Sequence, residues 1–238
     1  MRRVVLVAFP GVQTLDVTGP AEVFRAASVI HPPGYKVTVA ATQVGPLATS
    51  TVSFVADARL DQCNGRIDTL VVAGGTGARR VEGDPWLVEW IAEAAERSRR
   101  VASVCTGAFL LAKAGLLDGR RATTHWAGCA DLASRYPAVT VEPDPIFVRD
   151  GNVATSAGVT AGMDLALALV EEDLGRDVAL RPPAISSSSC SAPAARRSSA
   201  PSWPPRPPTG RRCASSRRGS RTTSTRTSPS RHSRAAPA

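Results

Sequence analysis

No run of eighteen apolar residues occurs in the 238-residue chain, so no membrane-spanning helix and no membrane partner are expected. A cleavable leader is not expected either. Met1-Arg2-Arg3 precedes only the short apolar run Val4–Phe9, and Pro10-Gly11 ends that run without a small-residue cleavage site. The five cysteines, Cys63, Cys105, Cys129, Cys190 and Cys213, are odd in number and lack the paired spacing of a zinc site. That pattern leaves no metal site to expect and fits a reducing, cytoplasmic setting. The glycine-rich stretch Gly74-Gly75-Thr76-Gly77 lacks the lysine of a phosphate loop, which argues against a nucleotide, and no cofactor is expected.

Residues 178–238 lack both lysine and acid but hold twelve arginines and ten of the nineteen prolines. They carry +12 of a net +9, which leaves residues 1–177 at −3. The globular part is therefore mildly acidic, and its charge gives no reason to expect nucleic acid. With many serines and no apolar periodicity, 178–238 reads as a disordered arginine-, serine- and proline-rich tail.

What is present in 1–177 alternates strand with helix. Arg3–Phe9 reads as a strand buried on both faces. Tyr35–Ala41, Val52–Val55 and Asp68–Ala73 are further strands. A helix is expected from near Pro20, with Val23, Phe24, Ala27 and Ile30 inward. Asp84-Pro85 opens another through Arg97, with Trp86 and Trp90 on one face. Val101–Val104 is a strand, followed by a helix over Phe109–Ala114. A short helix is expected over 127–135, and short strands at Val139–Val141, Ile146–Val148 and Val153–Thr155. Asp150-Gly151 signals a hairpin, and Gly158–Leu174 is the closing helix. This order implies an α/β fold, a largely parallel sheet with helices on both faces. Sites in such sheets form beyond the carboxyl ends of the strands, where Asp16, Gly74-Gly75 and Cys105 all fall.

Cys105 stands where a strand must become a helix within about two residues. The helix amino terminus offers free N–H groups and a partial positive charge, which favour a thiolate. The arrangement is that of a nucleophile elbow with cysteine in place of serine. On this reading the Cys105 pKa falls below the free value of about 8.5, and Cys105 is alkylated before Cys63 and Cys129. The alternative is a small buried hydrophobe. Asp16 either handles protons opposite Cys105 or favours a helix start. Gly74-Gly75 either donates N–H groups or makes a tight turn. His125 either approaches the site from the next loop or packs beside Trp126.

Ser103-Val104-Cys105-Thr106-Gly107-Ala108, Thr123-Thr124-His125-Trp126, the stretch Thr155–Gly162 and Leu15–Pro20 together resemble the ThiJ/PfpI family of the class I glutamine-amidotransferase-like superfamily. The likeness covers roughly residues 3–177. It is closest to the amino-terminal half of AraC-type transcriptional regulators, with isonitrile hydratase, a cysteine-dependent lyase, as a near relative of that branch. The resemblance implies a flavodoxin-like fold, a homodimer and a small-molecule ligand. It makes Cys105 the nucleophile and Asp16 the acid–base group, and it gives Gly75 and Thr106 the backbone donors of an oxyanion hole beside Gly74. Thr106 follows the cysteine where peptidase-like members have histidine, so proteolysis is not implied.

Two functions follow. The first is a small-molecule-sensing domain of an AraC-type regulator whose DNA-binding half is missing from this chain. The second is an isonitrile hydratase-type lyase that adds water to give an N-substituted formamide. No helix-turn-helix is visible after residue 177. One choice of synonymous codons for residues 184–190, read two bases on, gives His-Leu-Val-Val-Phe-Leu, so residues from about 179 onward read as an out-of-frame remnant. A genuine basic tail that binds nucleic acid without sequence preference is the alternative. Sequence-specific DNA binding by this chain is not expected on either reading.

Overall fold

The computed structural model describes residues 1–180. The tail beyond Leu180, with the frame reading attached to it, lies outside the described residues. The described chain runs β1 (Arg2–Val7), α1 (Thr14–Ile30), β2 (Tyr35–Ala41), β3 (Pro46–Ala48), β4 (Ser53–Val55), β5 (Ala58–Arg59), β6 (Ile67–Val72), α2 (Ala78–Val81), α3 (Pro85–Glu96), β7 (Ser98–Val104) and α4 (Gly107–Lys113). It continues with β8 (Arg121–Ala122), α5 (Cys129–Arg135), β9 (Thr140–Val141), β10 (Phe147–Asp150), β11 (Val153–Ser156), α6 (Thr160–Leu174) and α7 (Arg176–Leu180).

Seven strands form one sheet in the order β10-β11-β7-β6-β1-β2-β5, with every pairing parallel except the β10–β11 hairpin. The continuous apolar runs are central strands: Val4 through Val7 of β1 are fully buried, as are Leu70 and Val72 of β6. Pro20 and Phe24 of α1 and Leu165 and Leu169 of α6 gather over Val71, Ala102 and Val104. Helices α3 and α4 pack against β6 and β7 from the other side. Asp84 caps α3 by accepting from the N–H groups of Trp86 and Leu87, with Pro85 in the first turn. Trp90 on that helix is buried, whereas Trp86 is exposed.

Four details differ from the sequence reading. Helix α1 begins at Thr14, not near Pro20, so the proline lies inside it. Its ring lacks an N–H to donate, but it is buried against the sheet, and that burial offsets the missing backbone bond. The earlier start places Asp16 in the first helical turn. The Val52–Val55 strand is half of a separate hairpin, β3–β4, and the Val139–Val141 strand pairs with β8 outside the main sheet. Helix α7 carries the described chain past 177, because Val178 and Ala179 face the apolar groove beside Val23 and Ile30.

The outer edge of β2 is blunted by side chains. Ser28 Oγ accepts from the Tyr35 N–H and donates to the Tyr35 carbonyl, and Asp57 Oδ2 accepts from the Val39 N–H at 2.8 Å. Of the outward-facing groups on Tyr35, Val37 and Val39, those of Val37 alone have no partner among the described residues, a short template for unwanted pairing.

At the amino ends of the strands, Asp173 of α6 is nearly enclosed by donors. Arg100 Nη2 reaches it at 2.5 Å, Arg99 Nη2 at 2.7 Å and the Tyr35 hydroxyl at 2.8 Å. The side chains of Arg100 and Asp173 are 7% and 3% exposed, so removing one partner strands a buried charge. Asp173→Asn is expected to cost about 3–5 kcal/mol, read as a lower urea midpoint of the folded domain.

Candidate functional site

The carboxyl ends of β1, β6, β7 and β11 converge on Cys105. Its backbone is forced into a positive φ of 55°, an unusual state for a residue with a side chain. The Cys105 N–H donates to the Ser156 carbonyl at 2.9 Å, and its carbonyl accepts from Thr124 Oγ1 at 2.8 Å. Two glycines close on it. A Cβ at Gly74 would lie 2.8 Å from Cys105 Cβ, and one at Gly158 would lie 3.0 Å from Sγ. Gly158 has φ +111°, so it is required both for space and for conformation.

Asp16 enters from α1 and is fully buried. Its Oδ1 accepts the Val159 N–H at 2.8 Å. Its Oδ2 is buried with no partner of normal hydrogen-bond geometry, although the Gly74 N–H and the Cys105 thiol approach the carboxyl. Val159 has φ 51°, costly for a β-branched residue. Among the described residues, Cys105 and Val159 are the two non-glycine residues at positive φ, and they meet on one carboxyl group.

Burial is the dominant electrostatic fact here. Desolvation pushes the Asp16 pKa up, against the lowering effect of the Val159 and Gly74 N–H groups, the Cys105 hydrogen bond and His125. Desolvation also pushes the Cys105 thiol up to about 12, helped by the nearby Asp16 charge and opposed by the Thr106 backbone and hydroxyl. The expected lowering of the Cys105 pKa is therefore corrected. The helix terminus acts in the expected direction, but drying the sulfur outweighs it. The resting state is a thiol, and the two groups titrate as a coupled pair.

The structure brings Asp16, Gly74, Gly75, Cys105 and Thr106 together. Gly75 does not offer a free donor: its N–H is bound to Thr106 Oγ1 at 2.8 Å, and that hydroxyl donates back to the Gly75 carbonyl at 3.0 Å. Gly74 turns its N–H toward Asp16. His125 is half-buried, with Nδ1 accepting from the Ala127 N–H at 3.4 Å and its ring 5.4 Å from that of Trp126. Trp126 is 78% exposed, so the pair forms part of a rim rather than a core. Thr124, Gly158 and Val159 carry no assigned role in the sequence reading. The signal for them was the stretches Thr123–Trp126 and Thr155–Gly162, whose residues reach Cys105 only through the fold. No group of metal-ligating side chains occurs among the described residues.

A strained cysteine at a strand–helix corner, facing a carboxyl across a mostly parallel sheet, defines a cysteine–carboxyl site of the α/β class. The family model for the DJ-1/PfpI family matches residues 2–172, and the chain belongs to that family. It is 38% identical over 172 residues to the isonitrile hydratase of Pseudomonas putida, covering 72% of each chain. It is 34% identical over 173 residues to the HTH-type transcriptional regulator CdhR of Pseudomonas aeruginosa, covering 72% of this chain and 51% of the regulator. A crystal structure of a ThiJ/PfpI family protein from Pseudomonas syringae superposes with a TM-score of 0.68 at 28% identity, covering 79% of each chain.

Asp16→Asn gives two expected results. An ionised Asp16 is penalised in the folded state, so the native form loses stability as pH rises above the ordinary value of 3.8. The amide keeps the acceptor for Val159 and removes that penalty. The variant is expected to unfold at higher urea than wild type at neutral pH and to lose this advantage below pH 3.8. It also removes a charge that opposes the thiolate, so iodoacetamide labelling of Cys105 near neutral pH is expected to be faster than in wild type, as read by peptide mass spectrometry.

Proposed function

We propose that this domain is the small-molecule-sensing half of an AraC-type regulator. The observation that carries the reading is the resting state of the site. Cys105 is held as a buried thiol, and the Gly75 N–H that an oxyanion would need is occupied by Thr106. Such a site presents a protonated thiol and hydrogen-bonding groups to a ligand rather than a ready nucleophile. The likeness to CdhR supports the same reading, with the chain spanning about half of that regulator's length.

A second reading, cysteine-dependent hydration of an isonitrile, is favoured by the unpartnered Oδ2 of Asp16, an atom placed to pass a proton to or from Cys105. The 38% identity to the hydratase supports it. In that reaction Cys105 attacks the isonitrile carbon, Asp16 manages the proton, and water releases an N-substituted formamide. On either reading a homodimer is expected from the family resemblance, and a cytoplasmic setting from the odd, unpaired pattern of cysteines.

The two readings separate in one assay. The chain is incubated with an alkyl isonitrile beside Cys105→Ala, and formamide is measured. The sensing reading expects equal, background levels from both. Formamide release by wild type and none by Cys105→Ala would make the hydratase reading the correct one. The coding DNA provides a second check, since a helix-turn-helix sequence in the adjacent frame after codon 179 is expected only for a regulator.

A further inference from the structure

We propose that Glu82, Arg135 and Tyr136 form a charged clamp that positions the two loops enclosing Cys105, so that they govern a thiol they do not touch. The proposal rests on Cys105 as the functional group, which both readings of the site share.

Each of those loops runs directly into a short helix. Gly74–Gly77 leads into α2, which Glu82 caps, and Thr123–His125 leads through one 3-10 turn into α5, which ends at Arg135 and is capped by Tyr136. The helix ends are bound to each other. Glu82 accepts from Arg135 Nη1 at 3.0 Å, from Arg135 Nη2 at 2.5 Å and from the Tyr136 hydroxyl. Arg79 of α2 makes a second ion pair across the gap with Asp131 of α5.

The elbow helix lies between them. Phe109 of α4, one turn beyond Cys105, has the Arg79 guanidinium 4.3 Å and the Arg135 guanidinium 5.6 Å from its ring centre. Its ring also meets Gly128, where an added Cβ would come within 3.2 Å. The inner ends of both loops touch Cys105 without slack, Gly74 against its Cβ and Thr124 through the bond to its carbonyl. A movement of α2 relative to α5 therefore changes how tightly Cys105 is enclosed.

Stability alone is a poor reason for this clamp. The Glu82 side chain is 6% exposed but its Arg135 partner is 37% exposed, and an ion pair open to water on one side adds little net stability. What a forked guanidinium–carboxylate contact adds is fixed geometry. A cleft of about 810 Å³ lined by Arg79, Glu82 and Arg135 lets water reach these bonds. The clamp can thus loosen as a local event, without global unfolding.

The test labels Cys105 with iodoacetamide in the full chain and follows its rate between about pH 6 and 10 by mass spectrometry. Asp16 of α1 and His125 of the following loop are the titratable groups facing the site, and both are unchanged in the variants used. Glu82→Gln is expected to label about tenfold faster near pH 8, with the profile moved down by about one unit as water reaches the sulfur. Tyr136→Phe is expected to move it the same way by less. Arg99→Gln, which breaks ion pairs at the opposite end of the sheet, should lower stability in urea and leave the profile at its wild-type position. Wild-type profiles in both Glu82→Gln and Tyr136→Phe would overturn the proposal. An equal displacement in Arg99→Gln would overturn it too. Should Glu82→Gln fail to fold, an unmoved profile in Tyr136→Phe overturns it alone.

Discussion

Everything at the carboxyl edge of the sheet depends on one buried contact, the Asp16 carboxyl against the Cys105 thiol. Two acids placed together away from water cannot both ionise cheaply, and burial pushes both pKa values up. The contact exists because the backbone is bent to make it. Cys105 and Val159 sit at φ 55° and 51°, states that cost of order 1–3 kcal/mol each and persist only where their surroundings over-determine them. The surroundings here are a parallel sheet whose central strands are fully buried. At its far end the Asp173 cluster ties α6 to β2 and β7. A rigid amino end lets the carboxyl end carry strain.

Much of this was legible in the residues. Buried strands betray themselves as continuous runs of Val, Leu and Ile, so β1 and β6 fall where Arg3–Phe9 and Asp68–Ala73 were expected to be strands, and the doubly covered sheet follows from the alternation of strand and helix. The corner at Cys105 and the placing of Asp16 and Gly74-Gly75 on the same edge follow from topology alone. The start of α1 did not. Proline at the first helical position is a statistical preference, and tertiary burial of Pro20 overrides it.

The electrostatics were the least legible part. A helix terminus is visible in a sequence as a change of pattern, but the dryness around a sulfur is not. That dryness comes from Gly74, Gly158 and Asp16, which are 31, 53 and 89 residues away along the chain. The role of Gly75 was obscured in the same way. A glycine pair announces available N–H groups, while the folding of Thr106 Oγ1 back onto one of them is a property of the assembled loops. Val159 escaped notice because positive φ is a rule for glycine and asparagine, and a β-branched residue there is an exception that only the structure reveals.

Sensing and hydration would use the same atoms, and the difference between them is how cheaply the site can hold a negative charge. At rest it holds one poorly, since Gly75 and Thr106 are bonded to each other in both directions. Freeing the Gly75 N–H for an incoming anion breaks two hydrogen bonds of ordinary net worth, about 1–3 kcal/mol together. Lifting that bond is worth roughly one to two powers of ten in the population of an anion-ready site. A ligand that recovers this energy through its own contacts could turn the site toward chemistry. A ligand that leaves the pair intact would be bound and read through the Asp16–Cys105 proton instead. The Thr106 hydroxyl, one residue beyond the cysteine, is therefore the point at which the two proposed readings part.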